Sequence, residues 1–160
     1  MIRRLGPTEW ELLRDVRLAS LLDAPAAFAS SLARELDFDE AAWRDRTLGS
    51  AWFVATAAEQ FAGVVAGRRD PKAPAGQRHL NAMWLAPAAR GGGLAAELVD
   101  VVVQWAREDG GTELTLGVFA ANQRAIGCYR KCGFEPTGEL HVLDREPHRE
   151  VEIYRLDLTR

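Results

Sequence analysis

Cysteine is nearly absent: the 160 residues hold two, Cys128 and Cys132. Four positions apart, they form neither a CxxC pair nor a zinc half-site. A disulfide scaffold is excluded, no metal is expected, and free thiols in a reducing cytoplasm are the expected state. No apolar run nears the ~20 residues that span a bilayer. The opening Met1-Ile2-Arg3-Arg4-Leu5-Gly6-Pro7 also lacks the apolar stretch of a secretory signal. A cytoplasmic protein without a membrane partner is therefore expected. A basic excess is missing too. The net charge is −3 and the pI about 5.7, which argues against a nucleic-acid partner held on a broad basic surface. No internal repeat or low-complexity tract occurs. What is present is an ordinary globular composition, 48% hydrophobic and 27% charged. Such a chain suits one domain over residues 1–160, able to bury roughly 70% of its unfolded surface.

Residues 2–5 read as a short strand. Thr8-x-x-Glu11 reads as a capping box for a helix carrying Leu13, Val16, Arg17 and Leu21, running to about residue 22. Asp23-Ala24-Pro25 interrupts it, because residues before proline avoid helical dihedrals. Residues 26–37 read as either helix or loop. Asp39 reads as the cap of a short helix to residue 48. Residues 51–56 and 61–68 read as a hairpin, and 78–85 as a strand stopped by Pro87. The clearest helix follows, with Leu94, Leu98, Val101, Val102 and Trp105 on one face and Gly110 as its stop. A strand over 112–118, a helix from Asn122 to Cys132 stopped by Gly133-Phe134, and strands over 136–142 and 148–158 complete the order. That order predicts a mixed α/β (α+β) domain. Its sheet has about six or seven strands and is largely antiparallel, with helices on both faces. One parallel crossover joins residues 78–85 to 112–118.

Arg90-Gly91-Gly92-Gly93-Leu94-Ala95 lies between a strand and the long helix. Glycines let a backbone turn sharply and approach a ligand. The helix start offers unpaired N–H groups and a partial positive charge, which favour an anion, and Arg90 adds a bidentate phosphate donor. A P-loop is excluded, since Gly93-Leu94-Ala95 lacks the Gly-Lys-Ser/Thr ending. A dinucleotide fingerprint can be forced onto Gly91, Gly93 and Ala96, but the acid it needs is missing from Val118-Phe119-Ala120. The bland alternative is a tight turn with no ligand.

The second motif is Asn122-x-x-Ala125-x-x-x-Tyr129-x-Lys131-x-Gly133-Phe134. Together the two segments resemble the GNAT superfamily of N-acetyltransferases. Its Arg/Gln-x-x-Gly-x-Gly/Ala signature is met by Arg90, Gly93 and Ala95, and the Asn…Ala…Tyr-x-Lys-x-Gly-Phe element follows some thirty residues on. The resemblance covers residues 78–134. It is weaker over Arg17-Leu18, Asp23-Ala24-Pro25 and Ala27-Phe28.

The resemblance implies a GNAT-like fold, acetyl-CoA as cosubstrate, and transfer of its acetyl group to an amine of a small molecule or peptide in a ternary complex. It implies that the pyrophosphate sits on the amides of Gly91, Gly92, Gly93, Leu94 and Ala95 beside Arg90. It also implies that the pantetheine arm lies along the backbone of Met83, Trp84 and Leu85 and meets Asn122. Tyr129 matches the general acid that protonates the leaving thiolate. A phenol with a reference pKa of ~10 can do so at pH 7. Strand alternation puts residues 79, 81 and 83 on one face. Family members often hold a Glu or His base two pleats before the cofactor contact, so the resemblance makes His79 the candidate base or water-holder, with a reference pKa of ~6.5, and Glu35 and Asp37 its rivals. Cys128 reads as packing, and His141 and His148 as surface residues. The resemblance implies an acceptor pocket in the segments holding Phe28, Ser30, Ser31, Glu35, Asp37 and Phe38, and His141, Asp144, Arg145 and Glu146. Its acids point to a cationic acceptor. A homodimer is compatible with the family. The alternative function is a catalytically silent acyl-CoA-binding sensor or structural module.

Overall fold

Apolar and β-branched residues without polar interruption fill two adjacent stretches, and both become strands buried on two faces. They are β2 (Ala51–Ala57) and β3 (Gln60–Arg68). The structure, a computed structural model, describes residues 1–144 and 146–160. The remaining strands are β1 (Ile2–Arg4), β4 (Gln77–Leu85), β5 (Glu113–Phe119), β6 (Glu135–Leu143) and β7 (Glu146–Asp157). The helices are α1 (Trp10–Asp23), α2 (Leu32–Leu36), α3 (Glu40–Gly49), α4 (Leu94–Glu108) and α5 (Gln123–Lys131). Among the described residues no helix is long and apolar enough to cross a membrane.

The seven strands form one sheet in the order β1-β2-β3-β4-β5-β7-β6. All neighbours are antiparallel except β4 and β5, as the element order predicts. Alternation along β3 sends Val65 into the core beneath α4 and α5, and Val64 into the core beneath α1 and α3. The apolar stripe of α4 seats on the first of these faces through Leu98, Val102 and Ala106. Gly67 of β3 permits this approach, because a Cβ there would stand 2.5 Å from the Trp105 ring.

The β4–β5 pairing is short. It covers Gln77–Leu80 against Glu113–Leu116 and then stops. Beyond that point β4 continues beside β3 to Leu85, and β5 continues beside β7 to Phe119. The two parallel strands therefore part like a fork. Just past its apex, Ala82 takes a left-handed φ of 58°. There the register slips, so that Asn81 faces Ala66 while Trp84 faces Val64.

Several local expectations need correction. Thr8 and Glu11 make no capping box: α1 starts at Trp10 and no side chain caps it. Glu9 acts instead, accepting from the Gly6 N–H at 2.6 Å and pairing with Arg3 at 2.8 Å, which ties α1 to β1. The ambiguous stretch 26–37 divides into a 3-10 turn at Pro25–Ala27 and α2, whose first turn is capped by Ser31. Asp39 caps α3 and Asn122 caps α5, as their positions predict.

Candidate active site

The glycine-rich turn follows from backbone conformation. Gly91 has φ 84° and Gly93 φ 89°, a region that side chains disfavour. Nothing lies within 4 Å of where a Cβ at either would be, so dihedral strain rather than crowding explains both glycines. The Glu97 N–H returns to the Gly93 carbonyl at 3.3 Å. The amides before it, through Leu94 and Ala95, stand in the first turn, where a helix supplies no acceptors.

Arg90 lies against this turn with one edge of its guanidinium occupied. Its Nε donates to the Leu85 carbonyl at 3.1 Å and its Nη2 to Asp23 at 2.7 Å. The same Asp23 oxygen accepts from the Trp84 indole N–H at 2.9 Å. Met83 and Leu85 turn toward the α4 core and Trp84 toward the opposite one. On the side of β4 that faces β5, the backbone past Leu80 has no strand partner.

His79 pairs across the fork's closed end, with Nδ1 at 2.9 Å from the Thr115 hydroxyl. That hydroxyl directs its one proton to the Arg78 carbonyl at 3.3 Å. With that proton donated to the Arg78 carbonyl, the tautomer that completes the network is the one with Nδ1 as donor and Nε2 carrying the lone pair. Burial, followed by the charge of Arg68 and partly offset by Asp70, lowers the imidazole from its usual 6.5 to about 4. The imidazole is neutral at pH 7 but a weaker base than its reference value implies. The shared face of residues 79, 81 and 83 does not hold. The kink at Ala82 turns Met83 to the α4 side with Leu80, on the face opposite His79. Asn81 follows the last β4–β5 pair, and its buried Oδ1 has no hydrogen-bond partner among the described residues. A groove of about 420 Å³ opens over His79 and Thr115, walled by Arg68, Glu139, His141 and Arg155.

Tyr129 lies on α5, 7% exposed, with its ring edge-on to Phe134 at 5.9 Å. Burial, with smaller contributions from Cys128 and Cys132, raises its phenol above the usual range, so it is a neutral donor. The two cysteines are unpaired. Burial, then Cys128, pushes the Cys132 thiol up to about 11, which leaves it protonated and a poor nucleophile. Asn122 directs its side-chain oxygen to the Ala125 N–H at 3.2 Å, leaving the amide N–H groups as its remaining donors.

In the segment expected to line an acceptor pocket, Glu35 is corrected. It is 1% exposed and bound by Arg17 through bonds of 2.9 and 3.1 Å, with Arg46 on the same carboxylate. Burial alone would raise its pKa, but the hydrogen bonds and charge of Arg17, then Ser30 and Arg46, hold it low. Glu35 is a buried structural anion, neither a base nor an open contact, and it no longer argues for a cationic acceptor. Phe28 is buried under Arg17, whose guanidinium lies 4.6 Å above the ring. Asp37 is exposed at the end of α2. His141 and His148 are exposed, the former beside Glu139 at 2.7 Å. Arg145 lies outside the described residues.

Two contributors lie outside the two motifs, Arg149 and Asp23, the latter within the weaker resemblance. Arg149 of β7 donates to the Ala26 carbonyl at 2.6 Å and to Glu146 at 2.9 Å, and lies 3.5 Å over the Phe119 ring. Asp23 reaches Trp84 and Arg90 across 61 and 67 positions. Only Asp23 has a local clue: an acid at a helix C-terminus is disfavoured by the dipole and calls for a cation nearby.

Comparison with known proteins agrees with this arrangement. The family model described as "Acetyltransferase (GNAT) family" matches residues 16–134. The N-acetyltransferase 8B of Rattus norvegicus is 34% identical over 93 residues, 57% of this chain but 42% of that protein. The chain therefore matches less than half of that relative's length. An acetyltransferase of the GNAT family from Streptococcus pneumoniae superposes with a TM-score of 0.79, covering 98% of both chains at 19% identity. The Salmonella typhimurium protein yncA, whose structure is described with its cofactor acetyl-CoA, gives 0.72 at 18% identity, covering 100% of this chain and 94% of that one. At such identities the likeness concerns the fold. With a family model matching well over half of its residues, the chain belongs to the acetyltransferase (GNAT) family.

Proposed function

We propose that this chain is an acetyl-CoA-dependent N-acetyltransferase acting in the cytoplasm on a primary amine of a small molecule or peptide, with residues 1–160 as one catalytic domain. The observation that carries this reading is the fork: strands β4 and β5 part beyond Leu80 and Leu116, beside a turn held open by two left-handed glycines. A thin, extended molecule ending in a diphosphate fits both features, because an open strand edge pairs with an amide-bearing arm and a helix start holds an anion.

In this reading the amides of Gly91 to Ala95 hold the diphosphate with Arg90. The backbone of Met83, Trp84 and Leu85 and the Asn122 amide hold the arm. An N–H of the open β4 edge polarises the thioester carbonyl. The acceptor nitrogen uses its lone pair to form the new N–C bond and the C–S bond breaks. Tyr129, kept neutral by burial, gives its proton to the departing sulfur, and the acylated nitrogen sheds its extra proton to water, from which the phenolate is reprotonated. The ammonium must lose a proton beforehand. His79 Nε2, neutral at pH 7, holds the water that carries this proton, and Asn81 Oδ1 supplies an unsatisfied acceptor for an amine N–H. The acceptor enters through the groove over His79.

The test is a titration of purified protein with acetyl-CoA, followed by thiol-release assays across an amine panel. Binding followed by amine-dependent thiol release supports the enzyme. Tight binding with no release on any amine supports the silent module. Failure to bind acetyl-CoA removes both readings.

A further inference from the structure

We infer that Asp23 is a positioning residue for Arg90, fixing its guanidinium for a diphosphate and tying the acceptor-side segment to the cofactor turn. The inference rests on the cofactor reading above. An arginine that recognises a phosphate needs a fixed plane, and a long side chain does not fix itself. Here the Nε and Nη2 edge is held by the Leu85 carbonyl and by Asp23, which leaves the Nη1 donors directed away from that edge.

Asp23 is itself held in place. It stands at the last position of α1, where the helix dipole disfavours an acid and no basic residue occupies the last turn. The Trp84 indole N–H and Arg90 offset that cost. Trp84 is 7% exposed, so its indole is an anchored donor. The chain next forms the turn Pro25–Ala27 and then buries Phe28. Asp23 thus joins the start of the acceptor-side segment both to the strand lining the fork and to the turn at its mouth.

The probe is coenzyme A, titrated calorimetrically into wild type, Asp23→Asn, Arg90→Gln, the double variant and Asp23→Glu, with thermal melts confirming that each folds. A half-exposed charge pair that orders a phosphate donor predicts about a tenfold loss of affinity for Asp23→Asn and a similar loss for Arg90→Gln. Because Asp23 acts through Arg90, the double variant should lose no more than the weaker single variant. Asp23→Glu, which keeps the charge, should stay within about threefold of wild type. Unchanged or tighter binding by Asp23→Asn overturns the inference, as do losses that multiply in the double variant. A wild-type chain that fails to bind coenzyme A overturns the cofactor reading as well. Binding without coupling overturns only the role of Asp23.

Discussion

Burial acts on Tyr129 and His79 in the same sense: it favours the neutral form of each. For the phenol that means a proton retained at neutral pH, which the proposed mechanism passes to the leaving sulfur. Replacing Tyr129 with Phe should lower turnover roughly 10²-fold and leave acetyl-CoA affinity nearly unchanged. Equal rates in a steady-state comparison would remove Tyr129 from the chemistry. For His79 the sign of the linkage is defined. A folded-state value of about 4 against an unfolded 6.5 means the unfolded chain binds the extra proton first. The stability it contributes is full above about pH 6.5 and is lost as pH falls through 4. Melting curves of wild type and His79→Gln should therefore converge on acidification across that window. Glu35 belongs to a different class. Glu35→Gln leaves Arg17 buried with a weakened partner, which should cost about 3–5 kcal/mol of stability by chemical denaturation. A base or open acceptor contact would instead lose rate at normal stability. The motif residues Arg90, Gly93, Asn122 and Tyr129 were legible because their spacing is local. The burial of Glu35 was not, since Arg17 lies 18 positions away and no periodicity marks the pair.

Elements with a strong apolar pattern lie where that pattern puts them: α4 through its one-sided stripe, and β2 and β3 through unbroken apolar runs buried on both faces. The kink in β4 is different. Nothing in Ala82 favours a left-handed φ, so the slip that separates Met83 from the His79 face comes from tertiary packing. The same holds for residues 23–28, joined to β4 and the glycine turn through Asp23 and to β5 and β7 through Arg149. Arg149→Ala removes the bond to Ala26 and the contact over Phe119. It should lower stability by about 1–2 kcal/mol in denaturant melts. It should also speed hydrogen exchange in residues 24–28 more than in β2. Uniform acceleration along the chain would show that Arg149 does not fasten this segment. In the turn, Gly93→Val meets no atom but places a branched residue at φ 89°. Coenzyme A affinity should fall, with retained affinity in calorimetry contradicting a role for this backbone.

Over the whole molecule, two apolar cores lie on opposite faces of one sheet, and both bear on the fork. The core under α4 and α5 includes Tyr129, and the core under α1 and α3 includes Phe28 and Trp84. The element order was enough to place the single parallel pair, because a strand-helix-strand crossover requires it. It did not indicate how soon that pair would end, which is set by β3 and β7 holding the outer edges of β4 and β5. The central claim is that this gap and its glycine turn hold acetyl-CoA. Residue-resolved hydrogen exchange with and without acetyl-CoA tests it most directly. Protection should appear at the amides of residues 83–85 and 91–96 and leave β1 and β2 unchanged. Protection confined to other elements, or none at saturating acetyl-CoA, would contradict it.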